Sequence, residues 1–570
     1  MKRNSKLLAL LLVAVLIGSL LAACGGSGGS SDNDAVLAGE KVDKGQNSEE
    51  GGTQTSDGTV TLPLTQEPIT FTYWVPFGGT SKEVITDLSH NLVYQELEKL
   101  TNVKIEFVHP AEGQEVEQFN LMVASGDLPD IIEQGERYKG GIDRAIADGI
   151  YIRLNELVDK YAPNYKKAIE SNPQLKKEVY TDQGNLSGFG MVTSDVYGTP
   201  DNPVPLDVAK ENSWTGPFIR KDWLDELGLP IPSAVDEWYT ALKAFKEQKN
   251  AEVPILFMYH PNGIDTTAGT FVSAFDIGPG FYLDTKDNKV KYGPIEAGFK
   301  EYLTMINKWY SEGLIDPDFP TRDNKSSQAL YMDGKVGAVL QEGTGLVLKA
   351  RAVNVEFAGA PYPKKDASSD IHWRYTNPLC RANYGVITSA CKNPELAVKW
   401  FDYHYTEDGF KLCNFGPEGK TYDGLDEKGR PKYLEHIEID GNEYPLAKDN
   451  YQGFDRINMV FRLHNGPYLK SDLRSNPRRW MEDLESYRVT WENQPDDYVL
   501  PPITMTDQEG AEYASIMSDV DTYKDQMILK FIMGTEPLSS FDKYVEQIKS
   551  LGIDKAIAIQ EAALKRYNER

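Results

Sequence analysis

Residue types that usually carry catalysis are plentiful in this chain, but their spacing is not that of a catalytic site. The seven histidines, His90, His109, His260, His372, His404, His436 and His464, include no pair at metal-ligand spacing. Neither HExxH, which sets two imidazoles and a general base on one helix face, nor GxSxG, the tight turn that exposes a nucleophilic serine, occurs. Gly416-Pro-Glu-Gly-Lys-Thr421 approaches a phosphate-binding loop, yet Asn414 stands where the first glycine of that loop must be. Asp182-Gln-Gly-Asn185 and Asp284-Thr-Lys-Asp287 begin like calcium loops without completing the later acidic positions. The 86 acidic residues would let two carboxylates be imagined at catalytic separation almost anywhere, so their number decides nothing. What is abundant is stacking material, with 9 Trp and 31 Tyr.

One cysteine does sit in a pattern with a chemistry of its own. Lys2, Arg3 and Lys6 precede an unbroken apolar or small stretch, Leu7 to Leu20, which Leu21-Ala-Ala-Cys24 closes. This layout reads as a secretory signal peptide over 1–23, since the apolar run is short for a membrane span. The last four residues resemble the bacterial lipoprotein box, in which the Cys24 thiol is diacylglycerylated and the cysteine becomes the new amino terminus. From Gly25 to about Leu62 the chain is rich in Gly, Ser, Asp and Glu, and no aromatic residue precedes Phe71. Such a composition cannot bury enough surface to fold, so 24–62 is expected to be a disordered tether with a root-mean-square reach of about 35 Å. The expected location is the outer face of the cell membrane, held by an N-acyl, S-diacylglycerol Cys24. Cys380, Cys391 and Cys413 are too few for a disulfide scaffold and read as small buried apolar residues.

The 570 residues carry 60 Lys and Arg against 86 Asp and Glu, a net charge of −26. A surface this acidic repels nucleic acid and anionic lipid, while carbohydrates and neutral or cationic solutes stay open. From Ile69 the pattern alternates: strand Ile69–Val75, helix Val84–Leu100, strand Val103–Phe107, helix Val116–Ala124, strand Asp130–Ile132. That order predicts an α/β lobe with a mostly parallel sheet. Further on, a helix over Lys221–Leu227 is stopped by Gly228 and Pro230, and Ser233-Ala-Val-Asp236 reads as a capping box for the next. Phe299, Tyr302, Ile306 and Trp309 form a stripe closed at Gly313, and two terminal helices, Phe541–Leu551 and Asp554–Tyr567, hinge at Gly552. Trp238, Trp309 and Trp400 lie on helical stripes and are assigned to the core.

The run Phe119-Asn-Leu-Met-Val-Ala-Ser-Gly-Asp-Leu-Pro-Asp-Ile-Ile132 resembles the SGDxPDII segment of extracellular solute-binding proteins of family 1. That family serves ATP-driven (ABC) importers and includes the maltodextrin binder. Four further stretches agree in order: Gly216–Gly228 with Glu237-Trp238, Gly313–Phe319, Tyr331–Ala338, and Pro394–Phe401 through Gly416–Tyr422. With the lipoprotein box and the length, the chain is most similar to the large LplA/LipO-like lipoproteins of Gram-positive bacteria, which are associated with complex-sugar uptake. The resemblance implies a two-lobe, periplasmic-binding-protein-like α/β fold with a hinge and an interlobe ligand cleft. Its implied segments are 63–205 (first part of the N-lobe), 206–380 (first part of the C-lobe), 381–455 (return to the N-lobe) and 456–570 (mainly C-lobe completion and C-terminal helices). It also implies a monomer that carries an oligosaccharide to the transmembrane subunits of an ABC permease, touches the membrane through its anchor, and catalyses nothing. No cofactor is implied, although some alginate-binding relatives hold calcium, which leaves a structural calcium ion open.

A sugar asks for aromatic faces against its C–H-rich ring faces, and for carboxylates, amides or arginine against its hydroxyls. Trp74, at the end of the first strand where open α/β sheets hold ligands, is one stacking candidate. Trp214 and Trp373, in stretches without helical period, are the others. The family's ligand loop after PDII reads Glu133-Gln-Gly-Glu-Arg137 here, which nominates Gln134, Glu136 and Arg137 and lacks the maltodextrin binder's tryptophan. The stretch after Gly337–Leu340 adds Gln341 and Glu342, again without the family's tryptophan, since Gly343-Thr344 follow. Arg220, Asp222 and Tyr384 complete the set. Two other classes stay open. An extracellular carbohydrate-active enzyme, a glycoside hydrolase or polysaccharide lyase, would have to act without the motifs above. A peptide-binding or signalling lipoprotein would lack identifiable anchors for the peptide's two ends.

Overall fold

The computed structural model describes residues 60–77, 85–170, 173–193, 215–257, 269–322, 324–343, 350, 353–374, 378–425, 431–434, 463–464, 490–491 and 494–570. The signal peptide, Cys24, most of the tether and Trp214 lie outside them. Strands among the described residues are β1 (Ile69–Trp74), β2 (Val103–Val108), β3 (Ile131–Ile132), β4 (Phe189–Thr193), β5 (Thr215–Arg220), β6 (Val253–Phe257), β7 (Phe281–Asp284), β8 (Lys289–Tyr292), β9 (Val336–Gly343), β10 (Phe357–Gly359), β11 (Cys380–Ile387), β12 (Tyr422–Leu425), β13 (Pro431–Tyr433) and β14 (Leu463–His464).

β1, β2 and β3 run parallel, with Ile69 opposite Val103 and Tyr73 opposite Ile131. Parallel neighbours need a crossover, which the helices Leu92–Thr101 and Glu115–Ser125 supply. Among the described residues the first of these begins at Leu92, and Val84 of the expected helix lies outside them. Asp87 accepts the Ser89 N–H and holds a 3-10 turn at Leu88–His90, and only then does the Asn91 side chain accept the Val93 N–H at 2.9 Å as the cap. β4, β11 and β14 complete a six-stranded sheet in the order β14-β4-β11-β3-β1-β2. β11 lies antiparallel between β3 and β4, so a segment from much later in the chain fills the middle of the sheet. Its core runs from Phe71 and Tyr73 through Tyr165 and Phe189 to Trp400 and Phe401, all essentially without exposure.

A second sheet has the order β10-β5-β9-β6, with β6 parallel to β9 and the other pairs antiparallel. Helices Val235–Gln248 and Ala297–Ser311 bring Trp238 and Trp309 edge-on to Phe271, with centroids 5.3 and 5.1 Å away. The cap of the first of these helices differs from the expected box. Ser233 donates from both its N–H and its hydroxyl to Glu237, at 2.8 and 2.9 Å, because the helix starts at Val235 and its third residue is Glu237, not Asp236. The helix Asp507–Ile532, capped by Thr506 and Glu509, adds Val520, Ile528 and Phe531 to the same core.

Trp491 closes the other side of this sheet. Its Nε1–H donates to the Ala360 carbonyl at 2.8 Å, and its indole lies where a Cβ on Gly216 would collide with the ring. Gly216→Ala is therefore expected to lower stability by about 1–3 kcal/mol through overpacking. A urea midpoint reads this directly, with unchanged far-UV circular dichroism.

The last two helices, Phe541–Ser550 and Ile553–Glu569, meet at Gly552. The second carries a polar clasp. Arg566 donates to Asp182 at 2.5 Å and to both oxygens of Glu509 at 3.0 and 2.5 Å. Arg570 pairs with the other Asp182 oxygen at 2.7 Å and donates to the Lys177 carbonyl at 2.8 Å. Ile553, Ala556 and the helix Asp507–Ile532 belong to the second core, whereas Leu175 and Val179 belong to the first, so the clasp ties one core to the other. Cys380, Cys391 and Cys413 are buried and form no disulfide, and burial pushes the Cys391 thiol up to about 11.

Candidate functional site

A cavity of about 430 Å³ opens where loops of the first sheet meet the start of the helix Asp507–Ile532. One wall is the chain after β3. Gln134 takes a left-handed conformation (φ 66°), a 3-10 turn follows at Gly135–Arg137, and Gly140 and Gly141 (φ 99° and 81°) reverse the chain into the short helix Gly141–Ala147. The reversal brings Gly140 against Gly510, where a Cβ would sit 2.8 Å from the Gly140 carbonyl oxygen. A second wall comes from Glu178, Thr181 and Ser187 with Cys380 and Tyr384 of β11, and a third from Pro502–Met505.

Tyr138, Tyr384 and Tyr513 line this space together with Glu136, Asp143 and Glu178. Glu136 accepts the Tyr384 N–H at 3.0 Å, which fixes the loop to β11. Asp143 is 4% exposed; its Oδ1 accepts the Thr181 hydroxyl at 2.7 Å and the Asn185 amide at 2.8 Å, and its buried Oδ2 has no hydrogen-bond partner. Burial raises the Asp143 carboxyl above its ordinary value, against the pull of the Asn185 and Thr181 donors. Glu178 accepts the Cys380 N–H at 3.0 Å and the Gln174 amide at 3.2 Å. Behind the loop, Glu133 is 3% exposed and accepts the Tyr73 hydroxyl at 2.5 Å. Burial lifts its carboxyl to about 8, with the Glu136 charge adding, and the Tyr73 hydrogen bond and Arg137 opposing.

Of the residues nominated from sequence, Glu136 and Tyr384 are brought together in the cavity wall. Gln134 is half-buried and accepts the Arg137 guanidinium, while Arg137 itself is exposed. Trp74 does end β1, but its indole is 2% exposed and lies edge-on to Phe119 at 5.6 Å, because a parallel sheet covered on both faces buries both sides of its strands. Arg220 is 5% exposed, forms a bidentate pair with Asp222 at 2.8 and 2.7 Å, donates to the Gly334 carbonyl at 3.0 Å and lies 3.9 Å over the Trp223 ring. Those bonds secure the junction of β5 with the helix Lys221–Leu227. Trp373 is half-buried over Gly269, away from the cavity wall. Gln341 and Glu342 continue β9, with Glu342 opposite Gly216. Trp214 lies outside the described residues.

Tyr138, Asp143, Glu178, Thr504 and Tyr513 were not nominated from sequence. The double glycine after the loop and Pro501-Pro502 before the Thr506–Glu509 cap are visible punctuation, but neither says that these distant segments meet. Among the described residues no group of three or more His, Cys, Asp and Glu could hold a metal ion, and no helix is long and apolar enough to cross a membrane.

The family described as bacterial extracellular solute-binding protein matches residues 82–409. The fructooligosaccharide ABC transporter substrate-binding protein FusA of Streptococcus pneumoniae is 26% identical, over 98% of this chain and 97% of its own. The polygalacturonan/rhamnogalacturonan-binding protein YtcQ of Bacillus subtilis is 24% identical, over 83% of this chain and 88% of its own. Among solved structures, the alginate-binding protein AlgQ2 without calcium ion superposes with a TM-score of 0.70 and 26% identity, covering 88% of this chain and 99% of AlgQ2.

Proposed function

This chain belongs to the bacterial extracellular solute-binding protein family, and on that basis we propose that it captures an oligosaccharide in the cavity beside Tyr138, Tyr384 and Tyr513. It then delivers the sugar, chemically unchanged, to the transmembrane subunits of an ABC permease. The observation that carries this reading is the cavity's pairing of aromatic faces with carboxylates and hydroxyls, the two surfaces a sugar ring presents partners for. Relatives named for fructooligosaccharide and for polygalacturonan/rhamnogalacturonan support carbohydrate as the class. In this reading the chain is a monomer without enzymatic activity, anchored through Cys24 at the outer face of the cell membrane. Its lobes are 63–205 with 381–455, and 206–380 with most of 456–570.

Calorimetric titration of the purified chain with oligosaccharide and peptide panels tests this. Saturable binding near micromolar, about −8 kcal/mol, without product release is the expected result. Release of shorter sugars would make the chain an enzyme, and a response to peptides alone would remove the carbohydrate. Gly510→Ala, which pushes the helix Asp507–Ile532 off Gly140, is expected to weaken binding at least tenfold, about 1.4 kcal/mol.

A further inference from the structure

We propose that the first lobe dictates the length of chain needed between Cys24 and Val60: the permease meets the edge that carries the cavity, and the link to the anchor leaves from the opposite edge. The inference rests on the anchored, importing reading above. β1, β2 and β3 are parallel, so all three end on one edge of their sheet. The chain that follows the end of β3 brings Glu136, Tyr138 and Lys139 into the cavity wall. The link joins the lobe on the other edge. Leu64 is 3% exposed in the first core, and its N–H donates to the Thr101 carbonyl at 3.0 Å. The Ile69 N–H donates to the Asn102 carbonyl at 3.3 Å, and the Asn102 amide donates to the Thr65 and Gln66 carbonyls at 3.1 and 2.9 Å. Asn102 stands directly before Val103, the first residue of β2, so the entering chain is bonded to the edge where the strands begin.

A sugar handed over unchanged has to pass from the cavity straight into the permease. The cavity edge then faces the membrane, and the point where the link joins lies on the far side. β1 alone separates the two edges by about 17 Å, at about 3.3 Å per residue. A compact lobe of about 220 residues has a radius of gyration of about 17 Å, hence a diameter of about 45 Å and a path round it of about 70 Å. The 36 residues from Gly25 to Val60 reach at most about 120–130 Å when fully extended. A link of fewer than about 20 residues would fall short.

Three forms of the chain test this in cells of the source bacterium that lack their own copy: the natural chain, a form without residues 31–57, and one with Gly and Ser in place of those 27 residues. The deletion touches none of the described residues and leaves at most about 30 Å between Cys24 and Val60. Sugar affinity by calorimetry and retention in the membrane fraction are expected to be the same for all three. Uptake of tritiated oligosaccharides from the panel that bind is expected to fall at least tenfold with the deletion and to return with the Gly/Ser form. Undiminished uptake, a loss matched by weaker sugar binding or poorer membrane retention, or no recovery with the Gly/Ser form would overturn the length rule and leave the anchored importer standing. A natural chain found in the medium, or one that supports no uptake of any sugar it binds, would overturn that reading and this inference with it.

Discussion

Replacing Arg566 and Arg570 together by alanine is expected to lower stability by about 3–5 kcal/mol, because the Asp182 carboxylate would stay buried without a cation. That side chain is 1% exposed, and its two oxygens meet Arg566 at 2.5 Å and Arg570 at 2.7 Å. Removing the acid as well, in the triple variant with Asp182→Asn, should recover most of the loss, since the penalty belongs to the unpaired charge and not to the missing arginines. Urea midpoints of the four combinations form the cycle that checks this. The clasp also reaches the cavity: the Asp182 N–H donates to the Thr504 hydroxyl at 2.9 Å, and Thr504 is part of the wall. The double variant should therefore bind sugar more weakly as well as unfold earlier.

The second large effect concerns Glu133. Its carboxyl is lifted to about 8 by burial, whereas in the unfolded chain it titrates near its ordinary 4.5. Between those two values the folded state holds a proton that the unfolded state has lost. Stability contributed by this group is thus complete below the ordinary value and falls as pH rises towards about 8, by at most about 1.4 kcal/mol per pH unit. Glu133→Gln keeps an acceptor for the Tyr73 hydroxyl and cannot ionise. The variant should match the natural chain near pH 5 and exceed it at pH 8, as read by urea midpoints at pH 5, 6.5 and 8. A parallel fall in both proteins would show that Glu133 is not the group responsible.

Much of the first sheet was legible because its signals are local. Ile69–Val75, Val103–Phe107 and Asp130–Ile132 announce themselves by alternation and turn residues, and β1, β2 and β3 stand there. Trp238, Trp309 and Trp400 sit on helical stripes, and each is buried. The helix Asp507–Ile532 was not singled out, although its Thr506–Glu509 cap is written in the sequence; charged residues interrupt its apolar stripe repeatedly. Long-range placement was the harder part. No local pattern says that Cys380–Ile387 enters the middle of a sheet begun 300 residues earlier, or that Gly140 meets Gly510.

The same distinction governs the site. Glu136 was found through the segment it follows, and Tyr384 lies beside it because β11 pairs with β3 and β4. Trp74 was placed correctly along its strand, but strand position does not reveal that helices cover both faces of the sheet. Arg220 and Asp222 satisfy each other, which two charges separated by one residue at a strand-to-helix junction could have suggested. Asp143 and Glu178 carry no spacing signal, since each becomes part of a wall only when the 135–143, 178–187 and 502–514 segments converge.

A crystal structure of the chain with its tightest-binding oligosaccharide tests the central claim most directly. The account predicts an intact sugar between Tyr138, Tyr384 and Tyr513, with hydroxyls on the carboxylates of the wall. A sugar bound elsewhere with this cavity still open, or a cleaved one within it, would contradict it.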